Sequence, residues 1–470
     1  MSKKRIDRWL PSYIAGTPYR WYRRLRRAST HTHVMFLVCD HFEPRHASRS
    51  DAQISARMQA WRDGYAAFQQ RCRDEFGMAP LHTWFYPPHH GSEHLASLAA
   101  MAYEGMGEVE LHYHHDGDTA ATLERDLRNT ITEYNHWGLL LNSGAVPAAS
   151  FGFIHGDWAL GNSGGGHHCG VNDELTVLKK LGCWADLTMP SGNRCQTRTI
   201  NAIYYGEGDP HRPNGHDRGV NAAAGKTDTK GLMLIQGPLG VNWRAPSHPR
   251  IENASLTTEN WGRPDRIRKW LDCHVHVRGR PEWLFIKLHT HGAMERDFDA
   301  LFGDKAMALH RDLQRQCNDG KRFTLHYVTA RQAYNIATAA EHGHAGNPAD
   351  YLDFRVPAPA TRFYSADARH TLLACSASQL RLSEFDGAMA VRIRSQVGPV
   401  TQIDGKLTDY EIDTGGQHIT LRGSGIVELH VTNGTKLQIV EGASELASVA
   451  GVQRLAIDGT CFIKYQKPLT

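Results

Sequence analysis

The 470-residue chain has no long apolar run, no Cys-x-x-Cys pair and almost no excess of charge of either sign. Each absence excludes something. No stretch approaches the roughly 18–20 apolar residues that a membrane-spanning helix needs. Nine cysteines, an odd number without paired spacing, argue for reduced thiols, as in a cytosolic protein. A net charge of +4 with His neutral is too small to imply a nucleic-acid partner. The Gly-rich stretch SFGFIHGDWALGNSGGGHHCG fits neither a P-loop nor GxGxxG, so no nucleotide site is expected there. The basic start, MSKKRIDRWLPSYIAGTPYRWYRRLRRAST, lacks the apolar core of a secretory signal, and a cytoplasmic location is expected.

Histidine is what the chain has in excess, with 29 residues. Imidazole suits zinc and similar divalent ions, so the clusters matter more than the total. In VELHYHHDGDT, three histidines fall within four positions at the end of an apolar run. His112 and His114 share one face of a strand, and His115 begins the following turn. Two of these three can reach one ion. MFLVCDHFE ends a second apolar run in Asp40, His41 and Glu43. A carboxylate such as Asp40 beside a metal can act as general base; Glu43 rivals His41 as the ligand from that loop. LFIKLHTHG ends a third run in His289 and His291, either of which could carry a proton to a leaving group.

Eight strand-like runs are expected: 34–39, 83–86, 109–113, 150–154, 185–189, 232–236, 283–288 and 323–328. Helical patterns at 51–76, 91–104, 119–141, 172–181 and 263–274 alternate with them. Strand then helix, repeated seven or eight times, predicts an α/β fold, a (β/α) barrel with parallel strands. Such a fold gathers the polar strand ends at one mouth. Trp158 beside Asp157 offers an aromatic face and a polar group, as a sugar site would. His167, His168 and Cys169 look like a further ligand set. The segment WFYPPHH (84–90), Asp186, Gln236 and the His216–Asp217 pair are additional substrate contacts to consider.

Four regions are expected. Residues 1–30 form a basic arm, in which Arg20, Arg23, Arg24, Arg26 and Arg27 interleave with Tyr19, Trp21 and Tyr22. Basic and aromatic groups together suit an anionic membrane surface; loose packing against the body is the other reading. Residues 31–345 form the barrel and 346–360, rich in Pro and Ala, a linker. Residues 361–470 form an all-β module, sandwich-like, with turn signals at Asp404-Gly405 and Asn433-Gly434.

The order of these motifs resembles that of the NodB-homology polysaccharide deacetylases, and looks most like divergent members associated with bacterial exopolysaccharide clusters. The resemblance covers roughly residues 33–334. It implies a distorted (β/α)7 barrel, an Asp-His-His site usually holding zinc, and hydrolysis of N-acetyl groups on a carbohydrate. Asp40 matches the family's base, with His41 where a ligand Asp would stand. His112 matches the first histidine of the second motif, but the place four residues on is Asp116, so His114 or His115 would complete the set. Gly156 and Trp158 match the third motif, whose arginine is absent. Leu288-His289 matches the last motif, making His289 the acid.

The expectation is therefore a metal-dependent carbohydrate deacetylase. Asp40 and His289 would be catalytic; His41, His112, His114 and His115 would hold a divalent metal, zinc by analogy; His155, Asp157, Trp158 and His291 would meet substrate. The alternatives are a catalytically silent glycan- or partner-binding barrel, or a hydrolase of a non-sugar amide.

Overall fold

The computed structural model describes residues 5–27, 30–47, 50–141, 149–191, 193–227, 229–245, 248–358, 361–365, 371–375, 379–383, 390–395, 398–432, 434–449 and 451–466. Asn433, named above, lies outside them, as do residues 1–4 of the basic arm. Two compact units are present, one of residues 1–90, 106–127 and 151–356, the other of 91–105, 128–150 and 357–470.

The first unit is built on a mostly parallel sheet. Its strands are β1 (Thr32–His41), β2 (His82–Tyr86), β3 (Gly107–Tyr113), β4 (Phe151–His155), β5 (Cys183–Asp186), β6 (Ile203–Gly206), β7 (Gly219–Asn221) and β8 (Leu232–Ile235). A separate pair, β9 (Gly240–Asn242) and β10 (Arg250–Glu252), precedes β11 (Trp283–Thr290) and β12 (Phe323–Tyr327). The pairing path is β11-β1-β2-β3-β4-β5-β8-β6-β7, with β12 also on β1. All eight expected strands are found. Closure into a barrel is not: β6 runs antiparallel along β8 and takes the edge a closing strand would need. Among the described residues no pairing joins β11 to β7.

Strand β1 is buried along nearly its whole length, as expected for a parallel strand covered on both faces. One face of the sheet carries Met35, Leu37, Cys39, Phe85, Ile154 and Ala185 in a single apolar cluster. The other carries Asp40, His82 and Trp84. The helix Asp51–Phe76 covers the latter through Ile54, Met58, Trp61, Tyr65, Phe68 and Cys72, spaced three or four apart. It is capped by the Ser50 side chain accepting from Gln53 N and ends at Gly77 with φ 73°. Each such apolar side chain contributes about 1.5–3 kcal/mol on full burial.

The basic arm is folded onto this unit as two helices, Ile6–Ala15 and Thr17–Arg26. Trp9 is buried, Arg8 pairs with Asp217, and Lys269 Nζ donates to Tyr13 Oη at 2.6 Å. Trp21, Tyr22 and Leu25 stay exposed. Among the described residues no helix is long and apolar enough to cross a membrane. The segment expected as a linker is packed as far as Val356: Asn335 Nδ2 donates to Leu352 O and Val356 O, both at 2.7 Å. Composition alone does not show those backbone bonds.

The second unit contains one antiparallel sheet of eight strands, β13 (Thr361–Ser365), β14 (Thr371–Cys375), β15 (Gln379–Ser383), β16 (Ala390–Ser395), β17 (Val400–Asp413), β18 (His418–Val431), β19 (Lys436–Val449) and β20 (Val452–Gln466). Its core is the alternating buried set that includes Ile403, Leu407, Leu421, Leu429 and Ile463.

Candidate metal centre

Parallel register brings the strand ends level. Asp40 pairs with Thr290 and with Trp84, and His112 pairs with Ile154. Side chains alternate along each strand, so the face that carries Cys39 and Phe85 ends in His41, Glu43, His112, His114, His289 and His291. There Glu43, His112 and His114 meet. His114 Nε2 lies 3.0 Å from Glu43 Oε1 and 3.0 Å from His112 Nε2. His112 Nε2 is 3.7 Å from the same carboxylate. His291 Nε2 stands 3.8 Å from Glu43 Oε2.

The far side of each ring fixes its near side. His112 Nδ1 donates to Ile154 O at 3.0 Å, and His114 Nδ1 to Asp157 Oδ2 at 3.3 Å. A carbonyl and a carboxylate can only accept, so each ring, when neutral, presents a bare Nε2 atom. Two imidazole lone pairs and a carboxylate thus converge on one point and call for a cation between them. A proton or a divalent ion would serve. Two histidines and one carboxylate form a donor set that zinc, iron and similar ions accept. This set fits the metal that the motif order implies.

The electrostatics separate the neighbouring rings. Burial drives the His41 and His289 imidazoles well below the usual range, and lowers His291 as well. Burial alone would lower His114 too, but its bonds to Asp157 and Glu43 raise it to about 9. Glu43, although desolvated, is held well below the usual carboxylate range by hydrogen bonds from His112 and His114.

Several expected roles change. Asp40, expected as base, faces the other side of β1: its Oδ2 accepts from His82 Nε2 at 2.9 Å and its Oδ1 from Gly292 N at 2.6 Å. Strand alternation is the reason, since Asp40 and His41 must point apart. Gly292 is required by that close approach, because a Cβ there would sit 2.0 Å from Asp40 Oδ2. His41, expected as a ligand, lies beside the cluster with its ring centroid 4.8 Å from His112, and its buried Nε2 has no partner among the described residues. Glu43, two residues on, is the carboxylate that meets His112 and His114.

His115 points away from His114 and joins His155, Cys169 and Glu174 in a second group. His155, expected at the substrate, is wholly buried there. His289 is buried with Nδ1 unpartnered, its ring 6.0 Å from His41. Asp157 and His291 remain partly open to solvent, 48% and 31% exposed. Trp158 packs 5.6 Å from His41 and 5.9 Å from His291. Glu174 carried no signal in the sequence; Glu43 was legible as the carboxylate in Asp40's loop.

No family model and no curated relative matches the chain. Among solved structures it is similar to a Mycobacterium smegmatis protein assigned as a polysaccharide deacetylase, with a TM-score of 0.36 and 13% identity over 66% of this chain and 92% of that one. It is also similar to a Parabacteroides distasonis protein assigned as a glycoside hydrolase/deacetylase, with a TM-score of 0.35 and 10% identity over 84% of this chain and 81% of that one.

Proposed function

We propose that the protein is a metal-dependent hydrolase that removes acyl groups, N-acetyl above all, from a carbohydrate. The observation that carries the reading is the convergence of Glu43, His112 and His114 as three acceptors at a level strand end. The carbohydrate substrate class rests on the motif order, with Trp158 offering an aromatic face beside the cluster.

Glu43, His112 and His114 would hold the divalent ion. Bound there, it would supply Lewis acidity toward a carbonyl oxygen and acidify a water molecule. Ile154 O and Asp157 keep the two imidazoles in the tautomer and orientation that binding needs, the usual office of a partner behind a ligating histidine. His291, neutral and open to solvent beside Glu43, is the group placed to take up and return a proton. His289 lies deeper, its side chain buried, and Asp40 holds β1 against His82 and Gly292.

The test begins with protein purified without chelator. The expected result is bound divalent metal, and acetate release from acetylated saccharides that is lost on dialysis against chelator and in His112→Ala. Metal-free protein that also releases no acetate after zinc, cobalt or manganese is added would overturn the reading.

A further inference from the structure

Behind the strand ends, on the face opposite the Glu43 cluster, four side chains with ligand atoms meet. His115 Nε2 is 2.9 Å from His155 Nε2 and 3.2 Å from Glu174 Oε1, and His155 Nε2 is 3.3 Å from the same oxygen. Cys169 Sγ lies 3.6 Å from Glu174 Oε2. All four ligand atoms fall within 4.8 Å of one another. We propose that His115, His155, Cys169 and Glu174 form a second, closed metal site that takes zinc and holds the loop of residues 156–170 in place.

The argument is again one of lone pairs. His115 Nδ1 donates to Asp118 Oδ2 at 3.0 Å, and His155 Nδ1 donates to Gly156 O. When neutral, both rings therefore turn bare Nε2 atoms toward each other and toward the Glu174 carboxylate. Gly161 N donates to Glu174 Oε2 at 2.7 Å, and Val171 N donates to Cys169 Sγ at 3.4 Å. Those bonds leave the converging sides without a donor other than the thiol hydrogen. The His155 and Glu174 side chains are 0% exposed and that of His115 is 3% exposed, so water does not share the task.

The donor set and spacing select the ion. Zinc bonds of about 2.0–2.1 Å to nitrogen or oxygen and about 2.3 Å to sulfur place tetrahedral ligands roughly 3.3–3.6 Å apart. The three separations among His115, His155 and Glu174 run from 2.9 to 3.3 Å, Cys169 Sγ is 3.6 Å from the second Glu174 oxygen, and all four ligand atoms lie within 4.8 Å of one another. Cys169 as thiolate and Glu174 as carboxylate would neutralise a divalent cation, which suits so enclosed a place. Four protein ligands leave no open position, the arrangement of a structural site rather than a catalytic one. Asp118 behind His115 is the carboxylate partner that such a histidine needs.

The loop that this site would hold has reason to need a tie. Asp157, Trp158, Asn162 and His168 all have positive φ, between 52° and 63°, a region L-residues adopt at a cost. Its start supplies Asp157 to His114. The second site thus fixes the segment that orients a ligand of the first, while its own ligands belong to no step of the proposed hydrolysis.

Cobalt(II) reports on it without any activity measurement, because the Glu43 cluster contains no sulfur. Chelator-treated full-length protein is titrated with cobalt(II), and its near-ultraviolet absorption and cobalt content are measured. A thiolate-to-cobalt charge-transfer band and two ions per chain are expected. Cys169→Ser should abolish the band, and Glu174→Gln should lose one ion of the two. His112→Ala should also lose one ion but keep the band, which separates this proposal from the hydrolytic one. Wild-type protein that binds cobalt without such a band, or a band that survives Cys169→Ser, overturns the site. The wild-type spectrum decides the matter even if a variant fails to fold.

Discussion

His114 and His115 are adjacent in the chain yet face opposite sides of the same strand end. His114 Nε2 contacts Glu43 at 3.0 Å, and His115 Nε2 contacts Glu174 at 3.2 Å. Neighbouring residues therefore belong to two clusters, and exchanging each should give different phenotypes. His114→Ala is expected to lower acetate release about 100-fold or more, at least the effect of disturbing the shell behind a metal ligand, with little change in melting temperature. His115→Ala takes from the buried Glu174 carboxylate a neighbour at 3.2 Å, a loss read as a lower melting temperature. Identical phenotypes would mean the clusters are one.

Asp40 is expected to act on stability. Asp40→Ala orphans the buried donors His82 Nε2 and Gly292 N, at about 1–3 kcal/mol each. Denaturant unfolding should show that loss while metal content stays at the wild-type level. If Asp40→Asn instead abolishes turnover and leaves stability untouched, the residue is the base that the motif order implied.

Gly156 is tested by adding a single methyl. A Cβ at this position would lie 2.4 Å from His114 Cγ. Gly156→Ala should push the imidazole off Glu43 and weaken metal binding by about 10–100-fold with every ligand still present. Unchanged affinity in a calorimetric titration would show that the ring can yield without consequence.

The pH dependence of stability has a contributor far from either cluster. Burial pushes the Glu341 carboxyl up to about 7, although the Tyr205 hydroxyl donates to Oε2 at 2.7 Å, and Oε1 has no partner among the described residues. In the unfolded chain the group titrates near 4.5. Between these values the folded protein keeps a proton that the unfolded chain has released. Its contribution is therefore complete below about 4.5 and lost as pH rises through about 7. Glu341→Gln, always neutral, should melt close to wild type near pH 4.5 and above it at pH 8. A difference that does not change between those two pH values would rule this out.

Much of the first unit was legible because its strands are apolar runs bounded by polar turns, and the helix Asp51–Phe76 shows its period over many turns. Strands β6, β7, β9 and β10 hold only three or four residues each, too few to display any period. The open sheet path follows from two of them, so closure could not be judged from the pattern.

The sequence by itself determined which side chains share a face: alternation puts His41 with Glu43 and His112 with His114, and turns Asp40 away. That rule is local, set by backbone geometry at each residue. Only the tertiary structure decided which faces meet. Glu43 reaches His114 across 71 positions and Glu174 reaches His115 across 59. Those meetings depend on the register between parallel strands and on where a loop returns, and both are set by packing summed over the whole sheet.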